Sequence, residues 1–218
     1  REFIQQIHGP KIIVPGNHDV PLYNIFARFV DPLKKFKKYI TDDLRPTFVD
    51  DEIAIVGINT ARSFTIKDGR INEEQIAFIQ SQMAGLSDQL LKIVVTHHPF
   101  DLPEGFDSDD IVGRAQKAMP RIAASGADVF LAGHLHVADI NTTAKRYRLE
   151  SGHSALVIQA GTATSTRVRG EARSFNVIEY DAPNLSVQRL ESLSPQSGFT
   201  TAETKHYKQI IGGWERVD

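Results

Sequence analysis

The chain contains no cysteine. That absence excludes disulfide frameworks, zinc ribbons, iron–sulfur clusters and thiol nucleophiles, and it restricts any metal site to nitrogen and oxygen ligands. Long apolar runs are missing too. The longest stretches, residues 53–58 and 90–95, have strand length and fall far short of the roughly 18 residues that a membrane span requires. Neither sign of charge dominates: 25 basic against 27 acidic side chains give a formal net charge of −2. A general attraction to nucleic acid or to an anionic surface is therefore excluded, and recognition of a polyanion would have to be local. There is no internal repeat or low-complexity linker, so the 218 residues read as a single domain. A chain of this size buries roughly 70% of the surface its unfolded form exposes, so stability alone does not call for a metal.

What is present is an alternation of short apolar runs and helical patterns. Residues 11–15 (KIIVP) read as a buried strand that empties into the loop Gly16-Asn17-His18-Asp19. Apolar residues at 22, 26, 29, 30, 33, 36 and 40 have helical spacing, interrupted by Asp31-Pro32, which predicts two short helices with Asp31 as cap and Pro32 at the first helical position. Lys34, Lys35, Lys37 and Lys38 fall mostly off that stripe and read as a solvated face. Residues 52–59 form a strand. Asn72 and Gln75 have capping-box spacing ahead of a helix over 73–84 that Gly85 closes. A strand over 92–96 ends in His97-His98-Pro99, and residues 101–113 are polar, acidic and rich in turn formers, a loop suited to act as a lid. A helix is expected over 113–125, with a kink or boundary at Pro120, followed by a strand over 128–132 that empties into Gly133-His134-Leu135-His136. Alternating runs at 137–143, 155–159, 174–180 and 185–190 make the second half mostly strand. The periodicity of residues 192–218 is too weak to assign, and they are expected to pack as a tail on the domain formed by residues 1–191.

Three predicted strands thus end in imidazole-bearing loops that hold five of the eight histidines. Gathered at one edge of a sheet, these loops would supply neutral nitrogen and amide oxygen suited to Mn, Fe, Zn, Co or Ni, whereas calcium is disfavoured by so much nitrogen. In His134-Leu135-His136 the two rings would point the same way in an extended segment and serve one ion, or diverge in a loop toward two.

The series Gly16-Asn17-His18-Asp19, His97-His98-Pro99 and Gly133-His134-Leu135-His136, each after an apolar strand, resembles the calcineurin-like metallophosphoesterase superfamily over about residues 3–180. The stretch from Ala160 to Ser165, leading into Ser174-Phe175-Asn176, is similar to small bacterial members of its cyclic-nucleotide phosphodiesterase-like branch. The resemblance implies a layered α-β-β-α sandwich with two mixed sheets. It implies that Asn17, His97 and His134 bind one metal, that His136 binds its neighbour, and that His18 contacts phosphate and protonates the departing oxygen. Asp19 and His98 would support the site or touch substrate. The expected reaction is hydrolysis of a small phosphodiester or phosphomonoester by a metal-bridging hydroxide, with two divalent or mixed-valence transition metals (Mn, Fe or Zn) in the complete enzyme. The alternative is a non-catalytic or single-metal scaffold that binds a partner.

The family's Asp-x-His strand end and Gly-Asp-x-x-Asp loop have no counterpart in these residues, since Asp first occurs at Asp19. At most one metal is expected from the residues at hand, and the absent motifs and their strand are expected upstream of Arg1. A cytoplasmic location is expected, though an export signal could lie in the same upstream region, and homo-oligomerisation is left open. Plainer readings stand beside these. Gly-Asn-His-Asp can simply be a helix-capping turn; one histidine of His97-His98 can be core and the other exposed; His8 and His153 have no motif. Asp107, Asp109 and Asp110 read as a solvated loop in preference to replacement carboxylates, and Arg167 and Arg169 as surface residues in preference to phosphate contacts.

Overall fold

The structure is a computed structural model that describes residues 2–64, 68–103, 105–106, 110–143, 146–147, 152–164, 172–194 and 196–218. Its centre is a six-stranded mixed sheet. Strands β2 (Ile53–Ile58), β3 (Leu91–Thr96), β4 (Val129–Ala132) and β6 (Leu156–Gln159) run parallel. β1 (Thr47–Val49) and β5 (Asp139–Thr142) pair antiparallel at the two edges, in the order β1-β2-β3-β4-β6-β5. Both faces of the parallel strands are covered, which is why they read as continuous apolar runs and not as alternating ones.

The period of two sorts those residues into two cores. On one face Val56, Val94, Phe130 and Val157 pack against α4 (Glu73–Met83) and α5 (Ala115–Ala124) through Ile76, Ile79, Met119 and Ile122. On the other, Ile93, Val129, Leu156 and Ile158 pack against a second sheet. This smaller sheet is antiparallel throughout, in the order β10-β9-β8-β7, from β7 (Arg173–Asp181), β8 (Asn184–Ser192), β9 (Thr200–Ile210) and β10 (Gly213–Arg216). The layers defined by these cores run helix, mixed sheet, antiparallel sheet.

The capping box opens α4 as the sequence requires: Asn72 Oδ1 accepts from the Gln75 amide at 2.9 Å, and Gln75 Oε1 accepts from the Asn72 amide at 3.0 Å. Pro120 lies inside α5 and does not end it. Three expectations change. Residues 11–15 join no ladder among the described residues; they run without a strand partner while Ile12 and Val14 lie against Gly57 of β2. The two short helices form as α2 (Ile25–Val30) and α3 (Lys34–Tyr39), but α3 has Leu33 at its N-cap, and Asp31 instead accepts from Lys37 at 2.9 Å. The stripe itself divides: Leu33, Phe36 and Ile40 face inward, whereas Leu22, Phe26, Phe29 and Val30 are exposed. A short helix α1 (Glu2–Gln6) buries none of its residues. No helix among the described residues is long and apolar enough to cross a membrane.

Residues 192–218, unassigned from their pattern, contribute β9 and β10, and β9 pairs directly with β8. Their anchor is Trp214, buried in the second core with its indole N–H donating to the Asp128 carbonyl at 3.0 Å. Trp214→Ala should therefore lower unfolding free energy by about 3–5 kcal/mol in urea titration. Ile211→Ser, at a fully exposed position, should change it by less than about 0.5 kcal/mol.

Candidate metal centre

The parallel strands all end at one edge of the mixed sheet, the side on which α/β sheets present binding loops. Two of those loops are tied directly: the Gly133 amide donates to the His97 carbonyl at 3.1 Å, carrying the β3–β4 pairing one step beyond the strands. The third loop, the 3-10 turn Asn17–Asp19, is closed by Asp19, whose Oδ2 accepts from the Gly16 amide at 2.8 Å. Asp19 thus shapes the loop through its backbone. Gly16 is needed for closeness, because a Cβ there would sit 2.7 Å from the His97 ring.

The result is a convergence of three donors from three distant segments. His97 Nε2 lies 2.9 Å from Asn17 Oδ1 and 3.2 Å from His134 Nδ1. His98 completes the cluster: one ligand atom from each of His97, His98 and His134 falls within 4.8 Å of the others. His98 is fully buried, with Nδ1 2.8 Å from the Thr60 hydroxyl, which also accepts its main-chain N–H at 3.3 Å. Thr60 and Gly69 were not marked by any motif. Their contribution is steric and polar support, since a Cβ at Gly69 would fall 2.2 Å from His98 Nδ1.

His134 and His136 both occupy left-handed backbone, with φ of 71° and 64°. Left-handed geometry is uncommon for residues other than glycine, although histidine tolerates it better than most. The segment is therefore a loop and not an extended pair, so only His134 joins the cluster. The Nδ1 of His136 is buried and has no hydrogen-bond partner among the described residues. His18 is exposed on the Asn17 turn. Burial first, and then the electrostatic influence of His98, His134, His18 and His136, pushes the His97 imidazole down to about 3, so it is neutral at ordinary pH. A neutral ring with a free lone pair is the form a metal requires.

One amide oxygen and neutral imidazole nitrogens, already within ligand-sharing distance, fit a single transition-metal ion. Among the described residues no carboxylate joins the cluster. Asp101, buried nearby in sequence, accepts from Arg146 and from the Leu102 amide. Asp110 is partly buried but outside the cluster; Asp107, Asp109, Ser165, Arg167 and Arg169 lie outside the described residues. His8 is exposed, and His153 Nε2 lies 2.9 Å from the Ala127 carbonyl, a structural contact. Gly69→Ala should cost about 1–3 kcal/mol in denaturant unfolding by displacing the His98 ring. Gly133→Ala, where a Cβ meets open space, should leave stability within about 0.5 kcal/mol.

Among solved structures the chain is similar to GAP50, the anchor in the inner membrane complex of Plasmodium, at 15% identity, covering 77% of this chain and 55% of that one with a TM-score of 0.46. It is similar to a candidate 5′-nucleotidase from Staphylococcus aureus at 16% identity, 88% and 36% coverage and a TM-score of 0.37. Against a single mutant of Vps29 from Entamoeba histolytica the figures are 15%, 51% and 68%, with a TM-score of 0.28. The chain spans about half the length of the first of these and about a third of the second. No curated protein sequence matches it. Residues 1–138, which include all three histidine loops, match the family described as calcineurin-like phosphoesterase, and with well over half its length inside that match the chain belongs to the calcineurin-like phosphoesterase family.

Proposed function

We propose that the chain is a metal-dependent phosphoester hydrolase acting on small phosphodiesters, with phosphomonoesters as the next class. The observation that carries this reading is that His97 Nε2 lies 2.9 Å from Asn17 Oδ1 and 3.2 Å from His134 Nδ1. These residues would hold one ion. His136, whose buried Nδ1 has no hydrogen-bond partner among the described residues, would reach toward a second. Mn, Fe or Zn bound there would supply an activated water and offset the charge of the phosphate. Asn17 and the imidazoles bring no negative charge, so the full positive charge of a bound dication would remain available to an anionic ester. His18, exposed one residue beyond Asn17, would protonate the departing oxygen, a task suited to an imidazole. His98, held by Thr60, would fix the cluster from behind.

A second reading has its own support. The described residues bring no carboxylate to the histidines, which favours a scaffold that binds one ion or a partner without hydrolysis. Metal analysis and turnover separate the two. Chain loaded with manganese should hydrolyse bis(p-nitrophenyl) phosphate if the first reading holds; one bound ion with no turnover leaves the scaffold. His18→Asn should reduce turnover by about 10²–10⁴-fold while metal content stays level. His97→Ala should remove the metal itself, read by the same analysis.

A further inference from the structure

Helix α2 is inside out. Its one buried residue is Arg28, whose Nε donates to the Ser63 carbonyl at 2.5 Å and whose Nη1 donates to the Pro21 carbonyl at 2.7 Å. Those two bonds fix the rotation of the helix and turn its apolar side to solvent. Phe26 is 78% exposed and Ile25 70%, and beside them Tyr23 and Phe64 are almost fully exposed. Phe29 stacks edge-to-face on Phe64 with ring centroids 5.3 Å apart, joining the helix to the loop after β2 in one continuous apolar patch. Exposed apolar residues scattered singly mean little, but a contiguous patch of aromatic and branched side chains marks an interaction surface.

The chemistry that follows the patch in sequence selects the partner. α3 presents Lys34, Lys35, Lys37 and Lys38 to solvent while it buries Phe36. Lys37 is engaged by Asp31 and Lys38 lies over the Tyr39 ring with its charge retained, so Lys34, Lys35 and Lys38 supply the positive charge that follows α2 in sequence. The chain as a whole is slightly acidic, so this concentration is local. Apolar and aromatic residues flanked by lysines are the pattern of a surface that enters the headgroup region of an anionic membrane: the rings partition into the interface and the ammonium groups meet lipid phosphates. A second copy of the chain would bring the same lysines toward one another and gains no such complementarity.

We propose that α2, Phe64 and the lysines of α3 form a docking surface for a membrane leaflet that carries anionic phospholipid. The surface follows Asn17–Asp19 after five residues and includes the loop at the carboxyl end of β2, so docking would hold the histidine edge of the sheet close to the lipid headgroups. This proposal does not depend on hydrolysis or on metal content.

Vesicle flotation tests it with the full chain. Vesicles of phosphatidylcholine and phosphatidylserine should carry the protein upward, and pure phosphatidylcholine vesicles should carry much less. Binding should fall with added salt. The double variant Ile25→Ser, Phe26→Ser changes only exposed side chains and should abolish flotation with an unchanged melting temperature. Replacing Lys34, Lys35 and Lys38 by glutamine should weaken binding to the anionic vesicles about fivefold per lysine and leave the weak binding to neutral vesicles unchanged. Absence of flotation with either vesicle would overturn the proposal. So would a dimer in sedimentation equilibrium that the Ile25→Ser, Phe26→Ser variant disrupts while vesicle binding is unaffected, since the patch would then belong to a second copy.

Discussion

One backbone hydrogen bond organises the candidate centre, from the Gly133 amide to the His97 carbonyl at 3.1 Å. It extends the parallel register of β3 and β4 past the last paired residues, so the two strands release their histidines at the same level of the sheet. Parallel pairing with both faces buried is strongly fixed in register, because a slip of one residue would exchange the two cores. The separation of His97 and His134 therefore depends on the packing of Val94 against α4 and α5 on one side and of Ile93 against the antiparallel sheet on the other. The Asn17 turn reaches the centre without following a strand of the mixed sheet, and its fit rests on the hydrogen bond from Gly16 to Asp19.

The electrostatics of the centre follow from the same burial. Imidazoles this close cannot all be protonated, and burial together with the neighbouring rings holds His97 well below the ordinary imidazole range. The cluster is a set of lone pairs in search of a cation. Its donors carry no formal charge, and this distinguishes it from carboxylate-rich cages, which neutralise a bound dication. An ion held by amide oxygen and imidazole keeps its attraction for anions.

Much of this was legible in the sequence, for physical reasons that can be named. Glycine or proline after an apolar run marks where a strand must stop, and two histidines directly after such a stop, as at 134 and 136, have little structural purpose. The capping box of α4 is written in two side chains three positions apart, Asn72 and Gln75. Other features were not legible. Residues 11–15 have the composition of a strand, but composition does not supply a partner. β9 buries Tyr207 alone along its length, so no alternation announces it. The stripe at 22, 26, 29 and 30 has the spacing of a core face, and spacing cannot tell which way a helix is turned; that was decided by Arg28 and the carbonyls of Pro21 and Ser63. Thr60 acts on His98 across 38 residues of chain, a relation that no local pattern encodes.

The left-handed backbone at His134 and His136 has an evolutionary corollary. Any residue that replaces either histidine inherits a conformation that β-branched side chains resist and that glycine accepts without strain. Drift at these two positions is thus channelled toward glycine, asparagine or aspartate, of which the last two still offer an oxygen. A lineage could exchange nitrogen for oxygen at this corner, and with it the preferred metal, without rebuilding the loop.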